Sequence, residues 1–239
     1  RHPENREDIS LCLYRIGESF LKGEKWFDAA DSFKKLAADY PENALAVKAD
    51  YMAGVSYYRS GARSMAIPHF KKIADKNPST DYAVKGRYFI ALALAEDMDW
   101  KESEKEFAGI SSDYPLNPLA VKSAKLSSMA AEAETLPSKS PALSGAFSAV
   151  IPGMGQLYSE RYRDALSAFL YNGILGYLTY DSHKDGRGSA YVFGTLTGVF
   201  YLSNIYGAVN SAQNANLLMR VNSLDKLRKE AQIELLFKF

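Results

Sequence analysis

The stretch Ala149-Val-Ile-Pro-Gly-Met-Gly-Gln-Leu-Tyr158 divides the chain into two kinds of sequence. The residues before it read as water-soluble and repetitive, whereas much of the sequence after it is apolar. Pro152 lacks a backbone donor and fixes its own φ, while Gly153 and Gly155 tolerate positive φ. A helix that runs into this stretch is therefore expected to break or turn sharply.

Composition sets the outer limits of what the chain can be. With 239 residues, of which 47% are hydrophobic and 24% charged, it has room for one large or two ordinary folded domains. The net charge of +1 gives no reason to expect nucleic acid as a partner. The single cysteine, Cys12, cannot form an internal disulfide. The first residue is Arg1 rather than Met, which is compatible with removal of an N-terminal segment.

The first half of the chain repeats itself. Pro41, Pro78 and Pro115 lie 37 residues apart, and each closes a similar phrase. The same interval separates the members of other sets: Phe33, Phe70 and Phe107, and the Ala-Val-Lys tripeptides at 46–48, 83–85 and 120–122. Repeats of 20–50 residues indicate units that bury a face only by stacking on their neighbours.

Each unit carries two helical patterns separated by a short break. In the first unit, Leu13, Ile16 and Phe20 follow the helical spacing, and a second helical pattern resumes after Gly23. Each unit is therefore predicted to be a helical hairpin. The predicted units are about 5–41, 42–78 and 79–115, followed by a capping helix at 116–134.

The spacing resembles the tetratricopeptide repeat. The family's large, small, aromatic, small, aromatic and proline positions are matched by Ile16, Gly17, Phe20, Ala29, Phe33 and Pro41, and again by Ala53, Gly54, Tyr57, Ala66, Phe70 and Pro78. The third unit departs from the pattern at Ala91, Leu94 and Ser103. The period is three residues longer than the usual 34. Such longer repeats resemble the tetratricopeptide lipoproteins and coordinators of the bacterial envelope, over residues 5–134.

This resemblance implies a binding groove, because the first helices of such repeats line the concave face. The matching positions form one row of Tyr14, Tyr51, Tyr88 and Lys125, and a parallel row of Lys48, Lys85 and Lys122. Ammonium groups beside amphipathic rings suit an extended peptide with acidic or carboxylate groups. The alternative is that the lysines are solvated and the tyrosines are half-buried between helices.

The second half of the chain has the sequence pattern of a membrane-embedded domain. After a Pro/Ser linker at 135–141, two apolar runs at 164–180 and 189–210 flank the polar turn 181–188. A helix of about 20 predominantly apolar residues crosses a bilayer core, so the runs predict a two-helix transmembrane hairpin within 142–216. The alternative is two buried helices of a soluble domain.

Polar residues and glycines lie inside these apolar runs. Polar groups at membrane depth are expected to face other helices, and the Gly-x-x-x-Gly spacing at Gly194–Gly198 allows backbones to approach closely. Tyrosines near the ends of the runs are expected at the membrane interfaces: Tyr177, Tyr180, Tyr191 and Tyr206. The residues predicted to pack the membrane helices are Pro152, Gly153, Gly155, Gln156, Asn172, Gly194, Gly198 and Asn204.

A second resemblance covers about residues 142–216. Pro152-Gly-Met-Gly-Gln-Leu-Tyr158, followed by Arg161-Tyr-Arg163, resembles small bacterial membrane domains of the PGxGQxY type, which are related in pattern to TM2 domains. The sequence departs from that pattern at Glu160, where a glycine is usual. The resemblance implies two apolar helices and no transferable chemistry.

The chain closes with a predicted amphipathic tail at 217–239, in which Leu217, Val221 and Leu224 follow a helical spacing. The last residues, 233–239, alternate between apolar and polar. They either continue the helix or add as one strand to a partner's sheet.

The predicted fold class is thus all-α: a TPR-like helical-hairpin solenoid, a two-helix transmembrane hairpin and an amphipathic C-terminal helix. Catalytic motifs are missing, and His2, His69 and His183 lack neighbours in ligand spacing, so no catalytic residue, metal or other cofactor is expected. We predict a non-enzymatic, membrane-tethered scaffold in a bacterial envelope assembly, with protein partners and a lipid bilayer but no nucleic acid. The alternative is a subunit of a membrane enzyme or transporter with a polar site among Gln156, Asn172 and Asn204.

The expected location is a bacterial membrane with the repeats in the periplasm. The envelope-type repeat favours this side. Arg161, Arg163 and Arg220 flank the hairpin on the side of the repeats, and by the positive-inside rule they slightly favour cytoplasmic repeats. The sequence leaves the orientation open.

Overall fold

The computed structural model describes residues 3–231. Within that range the chain is all-α, without a strand, which confirms the predicted fold class. The helices are α1 (Pro3–Lys22), α2 (Trp26–Asp39), α3 (Ala46–Arg59), α4 (Arg63–Lys76), α5 (Asp81–Glu96), α6 (Trp100–Asp113), α7 (Pro118–Glu134), α8 (Pro141–Val150), α9 (Met154–Tyr158), α10 (Tyr162–Lys184) and α11 (Ser189–Ala231).

Contacts divide the chain into two compact units. The repeat unit consists of residues 3–135 together with residues 223–231, and the hairpin unit is Leu136–Asn222. In the repeat unit, α1/α2, α3/α4 and α5/α6 form three consecutive helical hairpins, and α7 packs against α6. This arrangement is a helical-hairpin solenoid with a closing helix, as the period of 37 predicts.

Side chains at the helix starts satisfy free backbone donors. The Thr80 hydroxyl accepts a hydrogen bond from the Ala83 N–H at the start of α5. The Asn117 side chain does the same for Leu119 at the start of α7, where Pro118 occupies the first turn. Ser, Thr and Asn are favoured at this position because the first N–H groups of a helix have no partner inside it.

The core of the repeats depends on an aromatic ring that packs against a glycine. Phe33 and Phe70, from second helices, are fully buried. A Cβ added at Gly17 would lie 2.7 Å from the Phe33 ring, and one added at Gly54 would lie 2.6 Å from the Phe70 ring. Small residues at these positions therefore allow the two helices of a hairpin to approach closely.

The turns between first and second helices have a repeated backbone geometry. Glu24, Gly61 and Met98 occupy equivalent positions in the three units, and all have positive φ, at 57°, 82° and 61°. An L-residue with a side chain is strained in this region, whereas glycine is not. Gly61 alone of the three has the residue type that this backbone favours.

The hairpin unit begins at Leu136, within the predicted linker 135–141, and its first helix begins at Pro141. The Ser140 hydroxyl caps α8 by accepting from the Leu143 N–H. The break predicted at 149–158 is confirmed, because α8 ends at Val150 and α9 begins at Met154. Gly153 precedes α9 with φ of 91°, and Pro152 lies in the same turn.

The apolar hairpin consists of α10 and the first part of α11, joined by a turn at 185–188. Among the described helices, α11 is the one that is long and apolar enough to cross a membrane. The uncharged run of α10, residues 165–180, is shorter and contains Asn172 and three tyrosines.

One expected boundary is absent. The tail at 217–239 was expected to be a helix separate from the second apolar run, but α11 continues without a break over 43 residues to Ala231. The sequence from Ala208 to Ala231 contains neither glycine nor proline, so nothing in it interrupts the helical hydrogen bonds. The predicted helix or strand at 233–239 lies outside the described residues.

We predict that Gly61→Ala destabilises the protein by about 1 kcal/mol, because the backbone there is left-handed. A Cβ at Gly61 meets no atom within 4 Å, so the loss reports backbone strain alone. Urea unfolding of the full chain in detergent, followed by helical circular dichroism, measures the effect. Glu24→Gly, at the equivalent exposed position, is the matched control and is expected to keep or raise stability; a loss in both variants would contradict the explanation.

Candidate partner-binding face

Residues 223–231, named here the tail segment, pack on first helices of the repeat unit. Leu224, Leu227 and Ala231 of this segment are 6%, 1% and 1% exposed. They belong to the same apolar cluster as Tyr88 of α5 and Leu126 of α7. The chain's own C-terminal helix therefore covers part of the surface that the sequence assigns to a partner.

Donors from the repeats converge on the end of the tail segment. The Tyr88 hydroxyl donates a hydrogen bond to the Ala231 carbonyl oxygen at 3.1 Å, and Lys122 Nζ donates to the same oxygen at 3.2 Å. Lys125 Nζ lies 2.7 Å from a carboxylate oxygen of Glu230. These donors give the Ala231 carbonyl oxygen two hydrogen-bond partners from the repeats.

Glu96 of α5 forms hydrogen bonds with Arg228 of the tail segment. The Glu96 side chain is only 10% exposed. Its Oε1 accepts hydrogen bonds from Arg228 Nε at 3.0 Å and Nη2 at 2.9 Å, and its Oε2 lies 3.4 Å from Arg63 Nη1. We name the surface lined by Tyr88, Glu96, Lys122 and Lys125 the first-helix face.

The predicted row of tyrosines is core. Tyr14, Tyr51 and Tyr88 are 4%, 2% and 0% exposed, and burial raises the pKa of all three hydroxyls. Their rings pack on Phe33, Phe70 and Phe107 with centroids 5.4, 5.9 and 5.4 Å apart. This corrects the expectation that the rings line an open groove. The rings lie between helices, where they bury more apolar surface than they would on a groove wall.

The predicted lysines divide into two groups. Lys122 and Lys125 contact the tail segment, as described above. Lys48 Nζ lies 4.8 Å from the centre of the Tyr14 ring, and Lys85 Nζ lies 2.6 Å from an Asp81 carboxylate oxygen one turn away. The structure thus brings Tyr88, Lys122 and Lys125 together and leaves Lys48 and Lys85 with local partners; a role of this row in partner binding stays a prediction.

Glu96 and Arg228 were missed by the sequence reasoning. They are 132 residues apart, and no repeat relationship connects a residue of α5 with one of α11. The signal that was available is the amphipathic spacing of the tail, which predicts a covered face but not what covers it.

In the hairpin unit, four predicted packing residues meet in one buried hydrogen-bond network. Asn204 Oδ1 accepts from the Gly153 N–H at 3.0 Å and from Gln156 Nε2 at 3.2 Å. The Gln156 amide also donates to the Asn204 carbonyl at 3.0 Å, and its own Oε1 accepts from the Ser148 hydroxyl at 2.8 Å. The Gly155 N–H donates to the same Ser148 hydroxyl.

Ser144 and Ser148 of α8 complete this network and were not predicted. Ser144 Oγ lies 2.9 Å from the Gly155 carbonyl and 2.7 Å from the Ala208 carbonyl. A Cβ at Gly155 would overlap the Ser144 carbonyl oxygen and lie 2.6 Å from Ala208 Cβ. The glycine therefore permits the close contact of α8, α9 and α11.

The other predicted packing residues lie outside the network. The Asn172 amide donates to the Ala168 carbonyl one turn away, and the nearest atom to a Cβ at Gly194 is Thr179 Cγ2, at 3.6 Å. Nothing lies within 4 Å of a Cβ at Gly198, which corrects the expected close packing at that position. Instead, α10 and α11 meet through a hydrogen bond between the Thr179 and Thr197 hydroxyls at 2.9 Å.

The positions of Gln156, Asn172 and Asn204 bear on the alternative of a shared polar site. Gln156 and Asn204 use their amides on each other, and Asn172 bonds its own helix, so the three side chains do not form a common polar site. Over residues 3–231, no group of His, Cys, Asp and Glu side chains is arranged to hold a metal ion.

The family comparison agrees with the fold of the first hairpin. The sequence model of the tetratricopeptide repeat matches residues 11–43, which include most of α1 and all of α2. No curated protein and no solved structure matched the chain. Tetratricopeptide repeats typically bind other proteins and are not enzymes, so the first hairpin is similar to a protein-interaction module.

We predict that Gly155→Ala disrupts the hairpin unit and that Gly198→Ala does not. A methyl group at position 155 must displace the Ser144 backbone and break buried hydrogen bonds, at a cost of about 1–3 kcal/mol. At position 198 it enters open space. Thermal unfolding and protease resistance in detergent measure the difference. Equal loss of stability in the two variants would show that the hydrogen-bond network does not determine how closely these helices pack.

Proposed function

We propose that the protein is a non-enzymatic, membrane-tethered scaffold, in which the repeat unit binds a protein partner and the hairpin unit docks in a lipid bilayer. The observation that carries the proposal is the pairing of a tetratricopeptide-like repeat unit with a hairpin unit whose large apolar side chains are exposed. The first feature supports a protein partner, and the second supports a lipid environment.

The exposed apolar surface of the hairpin unit supports a location in a membrane. In the most apolar 18-residue window of α11, only 11% is buried. A core helix of a soluble protein would be mostly covered, and exposed apolar patches of this kind mark surfaces for other apolar matter. The large exposed side chains include Leu166, Phe169, Leu170 and Ile174 on α10, and Val192, Val199, Phe200 and Leu202 on α11.

The distribution of polar groups in this unit supports the same environment. Asn204 and Gln156 are buried with hydrogen-bond partners, so their amides do not face outward. Tyr177, Tyr180, Tyr191 and Tyr206 are all more than 60% exposed. Tyrosine is enriched at membrane–water interfaces, where its ring lies in the apolar region and its hydroxyl in water.

The repeat unit supports binding of a protein segment. Its first-helix face holds a helix of the same chain through apolar contacts and charge-assisted hydrogen bonds. We propose that the partner belongs to a multi-subunit assembly of a bacterial envelope, with the repeats in the periplasm. This part of the proposal rests on the resemblance of the long repeats and of the PGxGQxY stretch to envelope proteins.

We predict that the wild-type chain stays in the membrane pellet after alkaline carbonate extraction. A Val199→Asp/Leu202→Asp variant is expected to be released, since a carboxylate near the centre of a membrane helix costs about 2.5–3.5 kcal/mol. Leu116→Asp, at an exposed leucine of the repeat unit, is the control and should stay in the pellet. Release of the wild-type chain by carbonate would contradict membrane insertion.

Cysteine labelling in spheroplasts tests the orientation of the repeats. Cys12 is the single cysteine and is exposed on α1 of the repeat unit. With periplasmic repeats, a membrane-impermeant maleimide should label Cys12 in intact spheroplasts. Labelling only after lysis would place the repeats in the cytoplasm.

For the partner, we predict that co-purifying proteins depend on the lysine row. The triple variant Lys48→Glu/Lys85→Glu/Lys122→Glu should lose them, because charge reversal repels the acidic groups that this row is expected to bind. The matched control reverses Lys71, Lys101 and Lys105, which are exposed on second helices. Quantitative mass spectrometry of detergent-solubilised complexes gives the result; equal loss in both variants would rule out the lysine row as the binding surface.

A further inference from the structure

The tail segment and the first-helix face are complementary in both shape and charge. Leu224, Leu227 and Ala231 follow the spacing i, i+3 and i+7, which places them on one side of α11, and all three are buried. A helix that inserts such a stripe into a groove is one of the recurring modes of protein recognition. The repeat unit therefore holds the kind of ligand that such a surface binds.

The charges on the two surfaces define the direction in which a bound helix runs. Arg228 meets the nearly buried Glu96, whereas Glu230 and the Ala231 carbonyl, further along the helix, meet Lys125, Lys122 and the Tyr88 hydroxyl. A helix that enters with the opposite polarity would bring its own cation to the lysines. An extended acidic peptide would place carboxylates beside Glu96, where like charges repel.

The contacts also show how the segment is held. Three apolar side chains are buried, while Arg228 is 44% exposed and Lys125 is 59% exposed. The more exposed Lys125–Glu230 pair is screened by water and contributes little, whereas Arg228 forms two hydrogen bonds with a Glu96 side chain that is only 10% exposed. The apolar stripe supplies most of the attachment, and it belongs to the same apolar cluster as Tyr88 of α5 and Leu126 of α7.

We propose that the tail segment is an intramolecular ligand that a partner helix replaces. The partner is a protein that presents an amphipathic helix with the same chemistry: leucines at i and i+3, an arginine at i+4, a glutamate at i+6 and a small residue at i+7. This inference rests on the proposed scaffold function and specifies its partner as helical rather than extended. Partner binding then frees residues 223–231, so occupancy of the repeat unit is coupled to the end of α11.

The test uses the full chain in detergent and a fluorescent peptide of residues 219–231 with an amidated C-terminus, which keeps the Ala231 carbonyl without adding a carboxylate. In the wild-type chain the tethered segment competes with the peptide at high effective concentration. In a Leu227→Asp chain the segment no longer packs, and fluorescence anisotropy should show at least about tenfold tighter peptide binding, equivalent to about 1.4 kcal/mol. Leu218→Asp, at an exposed leucine of the same helix, is the matched control and should bind like wild type.

Peptide variants test the chemistry of recognition. A Leu227→Asp peptide and an Arg228→Glu peptide should each bind the released chain at least about tenfold more weakly than the native peptide. If circular dichroism shows that the Leu227→Asp chain has lost helix in the repeats, the Arg228→Glu chain serves as the second released variant. Equal peptide binding by wild-type and folded released chains, or no binding by either, would overturn the inference.

The outcomes separate this inference from the scaffold itself. If the peptide fails to bind while partners still co-purify in a lysine-dependent manner, the tail segment is a fixed part of the fold and the scaffold proposal stands. If the peptide binds the released chain but no partner co-purifies, the intramolecular ligand stands and the scaffold proposal fails.

Discussion

The repeat unit depends on the contact between a phenylalanine ring of one helix and a glycine of its partner. Phe33 lies on Gly17, and Phe70 lies on Gly54, each at a distance that leaves no room for a Cβ. The period of 37 repeats this contact in the first two hairpins, whereas the third has Ala91 opposite Phe107, and each hairpin stacks on the next. Tyr14, Tyr51 and Tyr88 lie one turn before these small residues and are buried in the seam between the helices.

The hairpin unit is organised by a different constraint, the need to satisfy polar groups in an apolar environment. Asn204 and Gln156 each accept and donate within one network, and Ser144 and Ser148 connect it to the α8 and α9 backbones. A buried amide without a hydrogen-bond partner destabilises the fold by more free energy than a hydrogen-bonded amide contributes. The network therefore fixes the position of α8 and α9 on α11, and the remaining faces of α10 and α11 are left apolar and exposed.

The end of α11 connects the chemistry of the repeats to the rest of the chain. Residues 223–231 belong to the repeat unit by their contacts, although they are continuous with a helix that starts at Ser189 in the hairpin unit. Burial keeps the Tyr88 hydroxyl protonated by raising its pKa, with the Glu230 carboxylate adding to the effect, so it remains a donor to the Ala231 carbonyl. Fixed donors and an apolar stripe thus hold this segment of α11 on the repeat unit.

The sequence by itself determined the features that depend on local spacing. The step of 37 gave the three hairpins and the closing helix, and the Pro152–Gly155 turn gave the break between α8 and α9, because steric and hydrogen-bond rules act over a few residues. The tertiary structure alone decided which distant groups meet: Arg228 with Glu96, Ser148 with Gln156, and Ala231 with Tyr88 and Lys122. It also left Gly198 in open space, although its Gly-x-x-x-Gly spacing is typical of packed helices. Spacing along one helix states which residues share a face, whereas the partner of that face depends on how the whole chain packs.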